Sequence, residues 1–284
     1  MIEGSCLCGA IGYQVTGPFN SMTNCHCSMC RKHHGSAFAT YVSVPLERFQ
    51  WTRGEDKLLR YPSSPHGTRD SCTVCGSTVP MTVPEASMAF LPAGPLVGDL
   101  DIKPEAHIFV GSKAPWYTIT DTLPQHEEYP PEMGVAGLDR PKVEAQPGNT
   151  VGSCLCGAVA FEAAGEPMFM QHCHCTRCRR VRGAAHGTNI FYKAAQFRWT
   201  RGAELVSEYK FPEARFYTVG FCRQCGGALP KVTPGAVAAI PAGTLDTDPP
   251  IRPQRHIFTH YKATWFDITD SLPQFAEAPP RPGS

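Results

Sequence analysis

Hydrophobic side chains alternate with smaller or polar ones at residues 11–15, and the same alternation returns at residues 159–163. A period of two residues is that of a β-strand with one buried face. Stretches rich in β-branched and aromatic residues predict further strands at 38–44, 107–110, 190–192 and 256–259. No stretch keeps a helical period over three turns, and Pro45 opens a segment that predicts a single helical turn. The pattern therefore predicts an all-β fold with short helical turns.

One motif occurs twice and indicates that the chain is a tandem repeat. Gly-Ser-Cys-Leu-Cys-Gly-Ala spans residues 4–10 and again 152–158, and later motifs recur 148 to 150 residues apart. A period of this length is too long for a solenoid. The repeat therefore predicts two complete domains in tandem.

The boundaries of the repeats follow from where the similarity begins and ends. We expect a first domain at 1–125, a proline-rich linker at 126–150 and a second domain at 151–284. The two repeats differ slightly in length at 62–71 and 81–91. Insertions are tolerated best outside the packed elements, so these segments are expected to be surface loops.

The composition limits the kinds of partner that the chain binds. Lys and Arg number 26 against 25 Asp and Glu, which gives a formal net charge of +1. This balance disfavours a broad basic surface for nucleic acid or anionic membranes. No apolar run approaches the roughly 18 residues of a membrane helix, and the N-terminus has neither the basic nor the apolar region of a signal peptide. We expect a cytoplasmic protein with a small-molecule substrate; its oligomeric state stays open.

The 14 cysteines carry most of the chemical information. Each repeat has seven, in the order C-x-C, C-x-C-x-x-C and C-x-x-C. An odd number cannot pair completely within one repeat, and clustered thiols in a reducing compartment more often bind metal. Structural zinc takes four protein ligands, whereas catalytic zinc takes three and keeps an open position. Seven cysteines therefore divide into a group of four and a group of three.

The C-x-C pair and the C-x-x-C pair of each repeat are both followed by glycine. Glycine tolerates the positive φ that turns backbone N–H groups toward a thiolate sulfur. The predicted structural sites are therefore Cys6, Cys8, Cys72 and Cys75 in the first repeat and Cys154, Cys156, Cys222 and Cys225 in the second. Zinc on four thiolates stabilises zinc-finger peptides by roughly 10–16 kcal/mol, enough to hold a fold with a thin core.

The remaining cysteines form one triplet in each repeat. The triplets are Cys25, Cys27 and Cys30 in the first repeat and Cys173, Cys175 and Cys178 in the second. Three thiolates on a short arc leave one coordination position for water, a substrate thiol or a carbonyl oxygen. A fourth ligand from elsewhere could equally close the site and make it structural, and the spacing does not separate these two alternatives.

Polar residues beside the triplets have two interpretations. Arg31 and Arg179 directly follow the triplets and begin basic runs at 31–34 and 179–182. Such a run is either solvated surface or a clamp for a substrate carboxylate, which arginine can bind through two hydrogen bonds. Residues expected to be structural are His26 and His174, which orient the ligand loops, the core residues His107, His256, Trp116 and Trp265, and the turn carboxylates Asp121 and Asp270.

Longer motifs surround these cysteines, namely Gly-Ser-Cys-Leu-Cys-Gly-Ala, Cys-His-Cys-Ser-Met-Cys-Arg-Lys-x-His-Gly-Ser-Ala-Phe, Tyr-x-Ser-Ser-Pro-His-Gly, Cys-x-x-Cys-Gly and a late His-Ile-Phe. Over roughly 4–125 and 152–275 they resemble the glutathione-dependent formaldehyde-activating enzyme family, which also includes centromere protein V. The resemblance implies two tandem Mss4-like β-tent domains, each with a structural zinc on four cysteines and a catalytic zinc on the triplet, or up to four Zn²⁺ per chain.

The activity that this resemblance implies is that of a carbon–sulfur lyase. Such an enzyme joins glutathione to formaldehyde as S-hydroxymethylglutathione and catalyses the reverse cleavage. Cys25, Cys27 and Cys30, with Cys173, Cys175 and Cys178, would hold the catalytic zinc. Arg31 and Arg179 would bind carboxylates of glutathione, the co-substrate.

Two other functions stay open. A metal-bound water could hydrolyse an imine or another small carbonyl compound, and glutathione dependence separates that reaction from the lyase. A non-catalytic zinc module is the third reading, although both repeats keep all three triplet cysteines. The repeats also differ, with Ser-Ser-Pro-His-Gly at 63–67 but Phe-Pro-Glu-Ala-Arg at 211–215, so their pocket walls are expected to differ.

Overall fold

The computed structural model describes residues 1–65, 67–129 and 148–280. The first repeat contains one short helix, α1 (Ser28–His34). Its strands are β1 (Ile2–Ser5), β2 (Gly12–Val15), β3 (Ser21–Cys25), β4 (Ala39–Pro45), β5 (Phe49–Arg53), β6 (Leu58–Ser64), β7 (Gly67–Cys72), β8 (Met81–Val83), β9 (Met88–Pro92), β10 (Leu96–Val97) and β11 (Ala106–Ile108).

The second repeat contains the equivalents of α1 and of every strand except β10, and it has one short additional strand, Ala228–Leu229. Its helix is α2 (Thr176–Arg182). Its strands are β12 (Asn149–Ser153), β13 (Ala160–Ala164), β14 (Phe169–Cys173), β15 (Gly187–Lys193), β16 (Phe197–Arg201), β17 (Val206–Lys210), β18 (Thr218–Cys222), β19 (Ala228–Leu229), β20 (Lys231–Thr233), β21 (Val237–Pro241) and β22 (His256–Ile257).

The sheets of the two repeats correspond, but they differ by one edge strand at two places. In the first, one sheet has the order β10-β1-β2-β5, a second has the order β11-β3-β4-β9-β8, and β6 and β7 form a separate hairpin. In the second, the orders are β12-β13-β16, β20-β21-β15-β14-β22 and β17-β18-β19. Pairing is antiparallel except where β11 joins β3 and β22 joins β14. The mostly-β, tandem fold class predicted from the sequence is confirmed.

The inner faces of both repeats form one continuous hydrophobic core. Tyr13 and Phe161 occupy equivalent positions in it and are each 1% exposed. Trp116 and Trp265 belong to the same cluster, so their expected core role is confirmed. Burial of such large aromatic side chains is the main favourable contribution to folding. Because the core crosses from one repeat to the other, the stability of each repeat depends on its neighbour.

Equivalent residues meet where the repeats face each other. The hydroxyl oxygens of Thr120 and Thr269, which are 149 residues apart, lie at 2.5 Å. Gly94 and Gly243, another equivalent pair, approach the other repeat's helical segment so closely that a Cβ on either would lie 2.3 Å from a backbone carbonyl oxygen. This reciprocal contact is that of a two-fold symmetric dimer built within one chain.

Several local predictions are corrected by the structure. The strands expected at 107–110 and 256–259 end at Ile108 and Ile257, because Phe109 and Phe258 take left-handed φ values of 58° and 57° and the chain continues as a 3₁₀ turn. The surface loops expected at 62–71 and 81–91 are wrong for most of their length, since these segments form β6–β7 and β8–β9. Asp70 and Leu91 within them are 3% and 0% exposed. Length differences are therefore accommodated within hairpins.

The helical turn predicted at 45–49 is present as a 3₁₀ turn at Leu46–Arg48, directly after Pro45. The predicted domain boundaries stay a prediction, and most of the predicted linker lies outside the described residues. Within the part of the chain that is described, neither helix has the length or apolar character needed to cross a membrane.

Candidate metal centres and substrate pocket

Four sulfur atoms converge in each repeat, where the turn after the first strand meets the turn after the β6–β7 or β17–β18 hairpin. The first four-cysteine cluster is Cys6, Cys8, Cys72 and Cys75, and the second is Cys154, Cys156, Cys222 and Cys225. All ligand sulfurs of a cluster lie within 4.8 Å of one another. The structure thus brings together the same cysteines that the glycine-capped spacing grouped.

The geometry of the first four-cysteine cluster suits tetrahedral zinc. The Cys8 sulfur lies 3.4 Å from that of Cys6 and 3.8 Å from that of Cys72. Zn–S bonds of about 2.3 Å in a tetrahedron place the sulfurs about 3.8 Å apart. The backbone N–H of Ile11 donates to Cys6 Sγ at 3.2 Å, and Gly9 has the predicted positive φ, at 76°. Four thiols with backbone donors can hold an ion without an open position.

The triplets lie at the start of the two helices. Cys25 ends β3, Cys27 is the N-cap of α1, and Cys30 lies in its first turn, where its N–H donates to Cys27 Sγ at 3.3 Å. The second triplet repeats this arrangement on β14 and α2. The three sulfurs of each triplet lie within 4.8 Å of one another. No fourth Cys, His, Asp or Glu ligand joins either triplet among the described residues.

The thiols within a triplet stabilise one thiolate. Hydrogen bonds from Cys25 and Cys30 hold the pKa of Cys27 well below its usual value. In the second triplet, hydrogen bonds from Cys173 and Cys178 lower the pKa of Cys175 to about 2. Because thiolate is the form that binds metal, each triplet is prepared for a cation.

The two triplets have different neighbours at the equivalent sulfur. In the first repeat, Arg69 donates from Nη2 to Cys30 Sγ at 3.4 Å. In the second repeat, the hydroxyl of Tyr217 donates to Cys178 Sγ at 3.7 Å. Arg69 pairs with Tyr61 in the first repeat, and Val219 pairs with Tyr209 in the second. Arg69 and Val219 therefore occupy equivalent positions, and Tyr217 lies two residues before Val219. Two different positions of the hairpin therefore reach the same sulfur.

One cysteine of the second triplet is more exposed than its equivalent in the first. Cys30 is 1% exposed, whereas Cys178 is half-buried. A cavity of about 460 Å³ opens beside the second triplet. Its lining residues are Leu7, Cys175, Thr176, Arg177, Arg180, Phe211, Glu213, Phe258, Tyr261 and Glu277. The cavity thus combines a metal ligand, two arginines, two carboxylates and an apolar wall, and Leu7 comes from the other repeat.

One basic position of the helix is used differently in the two repeats. Lys32 of α1 forms an ion pair with Asp246 at 2.5 Å and a hydrogen bond with Ser153 Oγ at 2.6 Å, both across the interface. Its equivalent in α2 is Arg180, and the equivalent of Asp246 is Val97. Arg180 lines the cavity instead. The solvated-surface reading of the first basic run is therefore wrong for Lys32, and also for His33 and His34, which are buried.

Each ligand loop is held by a chain of imidazoles. Nε2 of His26 lies 2.8 Å from Nδ1 of His107, whose Nε2 lies 3.0 Å and 3.1 Å from the two oxygens of Asp121. The carboxylate accepts from Nε2 of His107, and a neutral His107 then accepts at Nδ1 from Nε2 of His26. His174, His256 and Asp270 repeat this chain. Burial lowers the pKa of His26 to about 3, which keeps it neutral. The expectation that these histidines orient the loops agrees with this geometry.

The arginines that follow the triplets are attached to backbone carbonyls. Nε of Arg31 donates to Ser112 O at 3.2 Å, and Nε of Arg179 donates to Tyr261 O at 3.0 Å. Arg177 and Arg180, rather than Arg179, line the cavity. Sequence reasoning did not single out Arg69, Tyr217 or Asp246. The one available signal was the divergent stretch at 211–215, which precedes Tyr217.

Comparison with known proteins adds an independent finding. The model of the glutathione-dependent formaldehyde-activating enzyme family matches residues 1–112 and 149–261. A protein of Halomonas elongata, provisionally named a glutathione-dependent formaldehyde-activating enzyme, is 30% identical over 129 residues, which are 42% of this chain and 81% of that protein. A crystal structure of a Rhodobacter sphaeroides protein is 29% identical, covers 35% of this chain and 91% of its own, and has a TM-score of 0.29.

Proposed function

Because the chain belongs to the glutathione-dependent formaldehyde-activating enzyme family, we propose that it is a zinc-dependent carbon–sulfur lyase acting on a glutathione–aldehyde adduct. The observation that carries this proposal is the cavity of about 460 Å³ that leads to the second triplet and contains Arg177 and Arg180. A charged thiol that enters this cavity would reach the metal ligands from the solvent side.

The cysteines fit two kinds of zinc site. The four-cysteine clusters would hold structural ions, and the triplets Cys25, Cys27, Cys30 and Cys173, Cys175, Cys178 would hold catalytic ions. A catalytic zinc supplies Lewis acidity, which lowers the pKa of a thiol and polarises an aldehyde. Overall, a carbon–sulfur bond forms between the thiol sulfur and the aldehyde carbon, and the thiol proton ends on the aldehyde oxygen. Cleavage is the reverse.

The protein's own residues bind and orient the substrate. Arg177 and Arg180 would hold the carboxylates of glutathione, and Glu213 or Glu277 its ammonium group. Burial raises the pKa of Tyr217 well above its usual value, so its hydroxyl keeps its proton. It can donate to Cys178 Sγ or to the aldehyde oxygen when substrate is present.

Arg31 and Arg179 stay candidates for binding substrate carboxylates. Arg31 uses Nε on a backbone carbonyl, and Arg179 uses Nε and Nη1 on two carbonyls, so each keeps at least one terminal nitrogen, Nη2, for a second partner. Since the cysteines are free thiols, we also propose a cytoplasmic location, where thiols stay reduced.

The direct test is NMR exchange between formaldehyde, glutathione and S-hydroxymethylglutathione, with and without zinc-loaded protein. The adduct also forms without enzyme, so only an excess exchange rate counts. We expect an excess that disappears when Cys30 and Cys178 are both replaced by serine. No excess with four zinc ions bound would contradict the lyase and point to hydrolysis of an imine or other carbonyl compound.

A further inference from the structure

The cavity at the second triplet has a wall that belongs to the first repeat. Leu7, between Cys6 and Cys8, lines it beside Cys175 and Arg177. Leu7 is 4% exposed. Its side chain therefore belongs to the packed interface and also faces the cavity.

The position of Leu7 is fixed by the first four-cysteine cluster. Its flanking residues Cys6 and Cys8 are both members of that cluster. Its N–H donates to Ser77 Oγ at 2.9 Å, and this hydroxyl lies 3.2 Å from Cys75 Sγ. A metal on this cluster would therefore fix the backbone that presents Leu7 to the cavity.

The first four-cysteine cluster also contacts the helix that carries the second triplet. Val181 of α2 and Val219 of β18 belong to its hydrophobic cluster, and Phe211 and Tyr217 pack against it. The N–H of Thr78 donates to Val181 O at 3.2 Å. The turn that presents Leu7 is thus held directly against the side of the second triplet.

The same contact occurs in the opposite direction. Leu155, the equivalent of Leu7, belongs to the hydrophobic cluster around the second four-cysteine cluster, and Met29 of α1 and Tyr61 pack against it. The two repeats also approach each other closely beside these turns, since a Cβ on Gly76 would lie 2.3 Å from the Phe221 ring. Each four-cysteine turn therefore lies against the triplet helix of the other repeat.

We propose that the pocket at the second triplet is a composite binding site, whose apolar wall is supplied by Leu7 of the first repeat. Its ligand is a thiol that carries carboxylates, with an apolar stretch against Leu7 and Phe258 and its anionic groups on Arg177 and Arg180. The ligand class rests on the function proposed above. One consequence is that the first four-cysteine cluster, which fixes Leu7, is required for substrate binding at Arg177. Leu7 and Arg177 are 170 residues apart in sequence.

Charge at the cavity supports this assignment. Lys32 is neutralised by Asp246, but at the equivalent place Arg180 has Val97 in the position of the aspartate. Arg180 therefore lacks the carboxylate partner from the other repeat that Lys32 has, and it lines the cavity with Arg177, Glu213 and Glu277. Arg177 lies 5.3 Å from the centre of the Tyr217 ring, a cation–π contact that directs it beside the triplet.

The test replaces Leu7 by tryptophan in the full chain and loads it with Co²⁺, whose visible absorption changes when a thiol enters its coordination shell. Glutathione and 2-mercaptoethanol are the probes. We expect the apparent dissociation constant for glutathione to rise at least tenfold, because the larger side chain fills the cavity, while 2-mercaptoethanol still changes the spectrum. The matched control, Leu155→Trp, should change glutathione binding at the second triplet by less than about twofold.

The outcomes separate the two proposals. If neither thiol changes the spectrum of the unaltered protein, the proposed function fails. If glutathione binds equally well to the unaltered protein and to Leu7→Trp, the composite pocket is wrong. Should Leu7→Trp not load four Co²⁺ ions, methyl NMR of the unaltered zinc protein decides, with Leu7→Ile used to assign the signals. Leu7 methyl signals that shift with glutathione support the pocket, and signals that stay fixed overturn it.

Discussion

The two triplets have the same cysteines on the same elements, yet their surroundings differ. At the first, a guanidinium donates to the sulfur of Cys30, a residue that is 1% exposed. At the second, a neutral hydroxyl donates to the half-buried Cys178, and a cavity with two arginines and two glutamates opens beside Cys175 of the same triplet. The candidate metal ligands are thus retained in both repeats while the walls have diverged.

Charge explains why this difference matters. Three thiolates and one divalent cation carry a net charge of −1, which is costly in a buried site unless it is paired. In the first repeat, Arg69 supplies the pairing charge. In the second repeat, Tyr217 carries no charge, and the charged groups beside the triplet are instead Arg177 and Arg180, with Glu213 and Glu277, which all line the cavity. From this comparison we propose that turnover occurs at the second triplet.

The largest loss of stability is expected at the four-cysteine clusters, which the two repeats share. Cys75→Ala and Cys225→Ala each remove one ligand of a four-cysteine cluster, so each should forfeit much of the roughly 10–16 kcal/mol that such a site supplies. Cooperative thermal unfolding should be lost in both variants, and bound zinc should fall below four ions. A variant that kept its melting temperature would show that its cluster is not a structural metal site. Val74→Ala, an exposed change in the same turn, is the control.

The next effect concerns the ion pairs between the repeats. Lys32→Met leaves Asp246 without its ion pair at a site where the two side chains are 16% and 11% exposed, so it should lower the free energy of unfolding by about 3 kcal/mol. Lys103→Met breaks a pair that is 64% and 63% exposed and should cost less than about 1 kcal/mol. Denaturant titration measures both. Equal losses would contradict the assignment of Lys32 to a buried interface pair.

A smaller effect should distinguish the first triplet. Arg69 lowers the pKa of Cys27 by its charge, in addition to the larger effect of the neighbouring thiols. Arg69→Met should therefore raise that pKa, and because zinc displaces thiol protons, the pH at which this triplet loses zinc should move upward. Zinc affinity should fall by roughly 10- to 100-fold, as for other groups that support metal ligands. Chelator competition across pH measures this, with Arg60→Met on the same hairpin as control. If the pH dependence of zinc loss were unchanged, Arg69 would not support metal binding at the first triplet.

The smallest expected effect is the change in exchange rate when Tyr217 is replaced. Tyr217→Phe removes one neutral hydrogen bond, worth about 1 kcal/mol, so the excess exchange rate should fall by roughly fivefold. Tyr41→Phe, beside the first triplet, is the matched change and should leave the rate unaltered. If Tyr41→Phe were the more damaging of the two, turnover would belong to the first repeat.

The sequence predicted the features that depend on local spacing. The duplication, the mostly-β character and the grouping of cysteines as four plus three follow from short motifs such as Cys6-Leu7-Cys8. The contacts of Arg69 and Tyr217 were not predictable in this way, because strand register decides which hairpin residue faces the sulfur. Likewise, Lys32 and Asp246 are paired only through packing of the two repeats, which no local motif encodes.

The central claim is that the second triplet performs the reaction, and separate disruption of the triplets tests it most directly. Cys178→Ser and Cys30→Ser are compared in the formaldehyde–glutathione exchange measurement, with zinc content determined for each. The account predicts that Cys178→Ser abolishes the excess exchange while Cys30→Ser retains most of it. Loss of exchange in Cys30→Ser, with full activity in Cys178→Ser, would contradict it.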